Sequence, residues 1–127
     1  MMRLLLVCVG GAFGSGARYL VSGWVLAALG PRFPYGTLAV NAIGSFVLAA
    51  LMHVGTTTDL VSPELRLTLA TGVLGGFTTY STFSYETFRY LQEGAWGLAA
   101  LNVTATVIGC LAGCAAGFIA ARSLVAG

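Results

Sequence analysis

The sequence has no lysine, and its six arginines and four acids make up only 8% of 127 residues. A soluble domain carries about 25% charged residues, so a water-facing catalytic domain is excluded and the chain is not expected to be an enzyme. The net charge of +2 comes from arginines scattered singly, too thinly for a nucleic-acid footprint or a polybasic lipid patch. The three cysteines, Cys8, Cys110 and Cys114, all lie inside apolar segments, as small buried residues rather than a disulfide framework or a metal site. The lone histidine, His53, sits at the end of an apolar run and reads as interfacial rather than as a proton relay.

What remains is apolar. Hydrophobic residues make up 57% of the chain and the mean hydropathy is +0.90, which defines a membrane protein. A spanning helix needs ~20 apolar residues, so residues 1–127 form a single all-α domain of four transmembrane helices with almost nothing outside the bilayer. The spans fall at about 4–29, 35–54, 65–91 and 96–121. Arg3 before an apolar run also resembles a signal peptide, but the pattern continues past the small residues to Trp24 and Leu29, so the first span is read as retained. Gly30, Pro31 and Pro34 form the first turn, and Gln92, Glu93 and Gly94 the last. Residues 55–64, GTTTDLVSPE, are the one plainly polar loop, in which Ser62, Pro63 and Glu64 read as a cap, a first-turn proline and an acid at a helix start.

The third span is written unlike an ordinary lipid-crossing helix. Residues 72–86, GVLGGFTTYSTFSYE, crowd glycines, hydroxyls and aromatics into mid-span. Glycine lets a backbone unwind or approach a neighbour, and hydroxyls can take over hydrogen bonds that an interrupted helix gives up. For Gly72, Gly75 and Gly76 alone, close helix packing is the commoner explanation. The interleaved run TTYSTFS favours a helix broken in the middle, whose released backbone groups are natural ion ligands.

Polar residues elsewhere align with that segment. Thr37, Asn41 and Ser45 recur at four-residue spacing on one stripe of the second span. A lone buried Asn is most often structural glue between helices, whereas a stripe aligned with it suits a permeation path. Asn102, Thr106, Cys110 and Cys114 form a similar stripe on the fourth span, beside a packing face of Gly109, Gly113 and Gly117. Gly10, Gly11, Gly14, Ser15 and Gly16 make another packing face on the first. Arg18 follows inside that span with two readings open: attraction of an anion at a vestibule, or an anchor beside Tyr19.

With alternating crossings, Arg3, Arg66 and Arg122 lie on one side and Arg32 and Arg89 on the other. Orientation follows the difference in Lys and Arg between sides, and here the difference is slight. Insertion both ways, with two copies paired antiparallel, is the expectation.

GGAFGSGARY in the first span, GTLAVNAIGSF in the second and GGFTTYSTFSYE in the third resemble the signature segments of the Fluc (CrcB) family of fluoride channels. The resemblance covers all four spans. It implies a dual-topology, antiparallel homodimer in the cell's inner membrane, with two fluoride pores that export fluoride passively and keep cytoplasmic fluoride low. It also implies a structural sodium ion at the dimer centre, held by main-chain carbonyls that map onto Gly75 and Thr78. The family's pore phenylalanines fall here on Tyr80 and Phe83, the first a departure, and its polar track on Asn102, Thr106, Cys110 and Cys114.

Fluoride is small and strongly hydrated, so its path needs donors without a fixed charge that traps it. Asn41 offers amide hydrogens, Ser81, Thr82 and Ser84 offer hydroxyls, and the rings of Tyr80 and Phe83 have electropositive edges. Thiols are weak donors, so Cys110 and Cys114 form the weakest-donating part of the track. Two other classes fit the composition: a small dual-topology proton-coupled exporter, which needs an intramembrane acid, and a purely structural membrane subunit. Asp59, Glu64, Glu86 and Glu93 all lie near expected span ends, which weakens the exporter, and a structural subunit leaves the Asn41 stripe unexplained.

Overall fold

A computed structural model of the protein describes residues 1–126; Gly127, the last residue of the expected domain, lies outside them. The chain is helical, with no strand among the described residues. Helix α1 covers Met2–Leu29 and α2 Tyr35–Thr57. Then come α3 (Pro63–Leu67), a π-helical segment (Thr68–Leu74), α4 (Gly75–Phe77), α5 (Tyr80–Gln92) and α6 (Trp96–Ala126). Three helices are long and apolar enough to cross a membrane: Met2–Leu29, Tyr35–Thr57 and Trp96–Val125.

Local chemistry sets the ends. Gly30 closes α1 at φ 82°, a conformation glycine adopts without Cβ strain. Ser62 caps α3 by accepting the Leu65 N–H at 3.1 Å, with Pro63 in the first turn. Gly94, at φ 74°, ends α5: its N–H donates to Leu91 O and that of Ala95 to Tyr90 O, the double bond of a Schellman turn. The polar loop is shorter than the sequence suggests, since α2 continues through Gly55, Thr56 and Thr57. There the hydroxyls find partners within the helix by bonding back one turn, Thr56 Oγ1 to Met52 O at 2.8 Å and Thr57 Oγ1 to His53 O at 2.6 Å, a local bond that composition does not reveal.

Small residues position the helices. Helix α2 packs along α6 and also against α1, while α1 packs against the π-helical segment and α4. A Cβ on Gly14 would run into the Val73 carbonyl, and one on Gly117 into the Phe46 carbonyl. Gly72 and Gly76 likewise press on α1, where an added Cβ would meet Val7 O at 3.1 Å and Gly11 O at 2.6 Å. Gly75 differs: it is exposed, and a Cβ there would meet only Ala70 O at 3.9 Å. The Gly72 and Gly76 contacts thus bring this segment close against α1 while Gly75 stays at the protomer surface.

Candidate functional site

Between α4 and α5 the backbone leaves helical geometry. Thr78 (φ −88°, ψ 160°) and Thr79 (φ −152°, ψ 116°) are extended. Their hydrogen bonds are taken over by side chains. Asn41 Nδ2 donates to Thr79 O at 3.0 Å, and the Thr79 N–H donates to Asn41 Oδ1 at 2.8 Å. One carboxamide thus pairs with both backbone groups of Thr79, much as a neighbouring strand would. An amide nitrogen carries two hydrogens, so one Asn41 N–H is left over. Thr79 Oγ1 in turn caps α5 by accepting the Thr82 N–H at 3.2 Å.

A cavity of about 500 Å³ opens beside this turn. Asn41 and Ser45 of α2, Tyr80 and Phe83 of α5, and Thr106 and Cys110 of α6 line it, together with Gly75 and Thr78. The Tyr80 and Phe83 rings meet edge to face, with centroids 5.7 Å apart and planes at 63°. Phe83 and Thr106 are buried, whereas Tyr80 is 79% exposed on the surface of the protomer. A second cavity, of about 670 Å³, shares Thr79 with the first and is lined also by Ser15, Arg18, Thr37 and Thr82. Arg18 Nε donates to Gly76 O at 3.0 Å, so the arginine both faces that cavity and ties α1 to the start of the interruption.

Three residues of the sequence-derived set stand apart. Ser81 is exposed, with its hydroxyl 3.5 Å from that of Thr79. Ser84 is half-buried, and Cys114 spends its thiol on Ser45 O at 3.5 Å. None of the three is among the residues lining either cavity. Asn102 is 1% exposed and donates to Thr87 Oγ1 at 2.9 Å, which donates to Phe83 O at 2.9 Å. This chain ties α6 to the helix that carries Phe83.

Glu86, which the sequence places near a span end, meets the first turn of α2. Its Oε2 accepts from Thr37 Oγ1 at 3.0 Å, and its Oε1 is buried with no hydrogen-bond partner. The available signal was its place three residues after Phe83, which puts it on the same face of α5, opposite the Thr37–Asn41–Ser45 stripe.

The chain is therefore a multi-pass membrane protein with a mostly apolar, uncharged cavity, carrying a few amide and hydroxyl groups, beside the extended residues Thr78 and Thr79. It belongs to the CrcB family, whose model, "CrcB-like protein, Camphor Resistance (CrcB)", matches residues 5–118. It is similar to proteins named "Fluoride-specific ion channel FluC" from several bacteria. That of Anaeromyxobacter dehalogenans is 56% identical, with 98% of each chain covered. That of Geobacter sulfurreducens is 53% identical over 98% of this chain and all of its own length, and that of Sorangium cellulosum 48% identical over both full lengths.

Proposed function

We propose that this protein is a fluoride-specific channel that lets the anion leave the cell passively. The observation that carries the reading is that Asn41, Tyr80, Phe83 and Thr106, from three helices, line one cavity, in a chain 56% identical to a fluoride-specific channel. No acidic residue lines that cavity. An anion there meets the spare Asn41 N–H, the Thr106 hydroxyl and the ring edges of Tyr80 and Phe83, donors that replace water without a deep electrostatic trap. The Arg18 cavity next to Thr79 serves as an antechamber.

The pieces between Pro63 and Gln92 act as one interrupted crossing. Helix α5 alone, at 13 residues, is about 20 Å long, short of the ~30 Å hydrocarbon core. The working unit is an antiparallel homodimer in the inner membrane, supported by the even arginine distribution and by the large apolar side chains exposed on the protomer, Phe13, Trp24 and Tyr80 among them. Gly75 and Thr78 fit a structural sodium ion at the dimer centre. A hard cation favours carbonyl oxygens, Gly75 lies exposed at the protomer surface, and a two-fold axis doubles two such oxygens to four.

Fluoride's conjugate acid is weak and neutral, so it crosses bilayers and dissociates inside. An inside-negative potential then drives the anion out with about 2.3 kcal/mol per 100 mV, and no pump is needed. Glu86, bonded to Thr37 of the stripe, is the one feature that favours proton-coupled export. Liposome efflux read with a fluoride electrode separates the two. A channel follows a potassium-diffusion potential and ignores a pH gradient, an exchanger follows the pH gradient, and absence of flux leaves only a structural subunit.

A further inference from the structure

A cation site made of main-chain carbonyls requires that those carbonyls be withheld from the helix ladder, and the hydrogen bonds around Thr79 identify what withholds them. In a continuous helix the Thr79 N–H would donate to Gly75 O, and the Thr82 N–H to Thr78 O. Here the first goes to Asn41 Oδ1 at 2.8 Å and the second to Thr79 Oγ1 at 3.2 Å. The two carbonyls whose ladder donors are diverted to side chains are those read above as the sodium ligands. Of the neighbouring oxygens, Gly76 O accepts from Arg18 and Thr79 O from the Asn41 amide.

We propose that Asn41 and Thr79 are positioning residues for the cation site, Asn41 by taking the amide that would otherwise satisfy Gly75 and Thr79 by taking the one that would satisfy Thr78. The inference rests on the assignment of Gly75 and Thr78 as cation ligands. It gives Asn41 a second task beside its contact with the anion path, carried by a different atom. The oxygen holds Thr79 extended and keeps a carbonyl open, while the remaining amide hydrogen is available to an anion in the cavity that Asn41 lines. One carboxamide therefore links the ion that holds the dimer to the ion that passes through it.

The two tasks separate by substitution. Asn41→Asp keeps an oxygen acceptor for the Thr79 N–H but loses the donor; Asn41→Ala loses both. Thr79→Ser keeps the capping hydroxyl and Thr79→Val removes it at nearly constant shape. The readout is the thermal unfolding midpoint of the full-length protein in detergent, titrated with sodium chloride against N-methylglucamine chloride at constant ionic strength. A bound ion raises that midpoint by mass action. Loss of the cap or of packing lowers the melting temperature at every sodium concentration, whereas a weakened cation site moves the sodium concentration at which stabilisation sets in.

We expect Asn41→Ala and Thr79→Val each to need about tenfold more sodium, the equivalent of about 1.4 kcal/mol, with Thr79→Ser near the parent protein and Asn41→Asp, whose added negative charge also attracts the cation, needing no more sodium than the parent. If Asn41→Ala yields no folded protein, the Val and Ser variants of Thr79 decide between themselves. Val shifted and Ser unshifted supports the proposal, and both unshifted overturns it. A parent protein whose stability ignores sodium overturns the cation assignment itself, a different failure from variants that keep the parent's sodium dependence.

Discussion

Removing the hydroxyl of Tyr80 should make fluoride pass faster. Tyr80 lines the main cavity, is 79% exposed on the protomer, and its ring meets Phe83 edge to face at 5.7 Å. The hydroxyl donates to no protein group among the described residues, so its hydrogen is free for an ion beside the ring. A hydrogen bond to a charged group contributes roughly 1.5 to 3 kcal/mol, and about 1.4 kcal/mol changes an equilibrium tenfold. If only the lower end is realised, the anion stays about ten times longer. Conduction needs binding weak enough to leave as well as strong enough to enter, so the extra residence slows the current. Tyr80→Phe keeps the ring edge and its packing on Phe83 and removes only the donor. Single-channel current in the same bilayer at the same fluoride concentration should rise by up to about tenfold, with fluoride selectivity kept. An equal or smaller current in the variant would refute the reasoning, and the hydroxyl would then belong to the contact between copies.

Asn41→Asp should abolish fluoride flux while the dimer still purifies intact, because a like charge ~4 Å from the path costs about 4 kcal/mol at an effective dielectric of ~20; electrode-measured efflux and size-exclusion profiles check both halves. Gly14→Ala should destabilise the fold by about 1–3 kcal/mol or more, since its Cβ meets the Val73 backbone carbonyl rather than a side chain that can move; thermal unfolding in detergent reads it. Asn102→Ala should lower stability by about 1–3 kcal/mol and, by loosening the tie through Thr87 to the Phe83 carbonyl, also reduce current. An unchanged current would make Asn102 a packing residue only.

Helical character was legible in the sequence because long apolar runs leave few alternatives, and glycines spaced by four marked which faces come close. Gly113 and Gly117 do press on α2, as Gly10 and Gly14 press on the segment after Thr68. Polarity alone did not reveal which hydroxyls share a cavity. Ser81 and Ser84 sit in the same run as Thr82 and Phe83, but the rotation of α5, fixed by the Thr79 cap and the Asn41 pair, leaves Ser81 facing out. The double use of Asn41 joins residues 38 apart, a separation at which side-chain pairing has no local signal. Glu86 does lie near the span end, against the first turn of α2, but counting residues could not show that its face of α5 meets Thr37.

The most direct test of passive, selective fluoride conduction is the reversal potential in a planar bilayer, with a tenfold fluoride gradient and chloride balancing it in the opposite sense. A fluoride channel gives a reversal potential near the fluoride equilibrium value, about 59 mV for a monovalent ion at a tenfold gradient, unchanged when pH is varied on one side. A potential near zero, or one that moves with the pH difference, contradicts it.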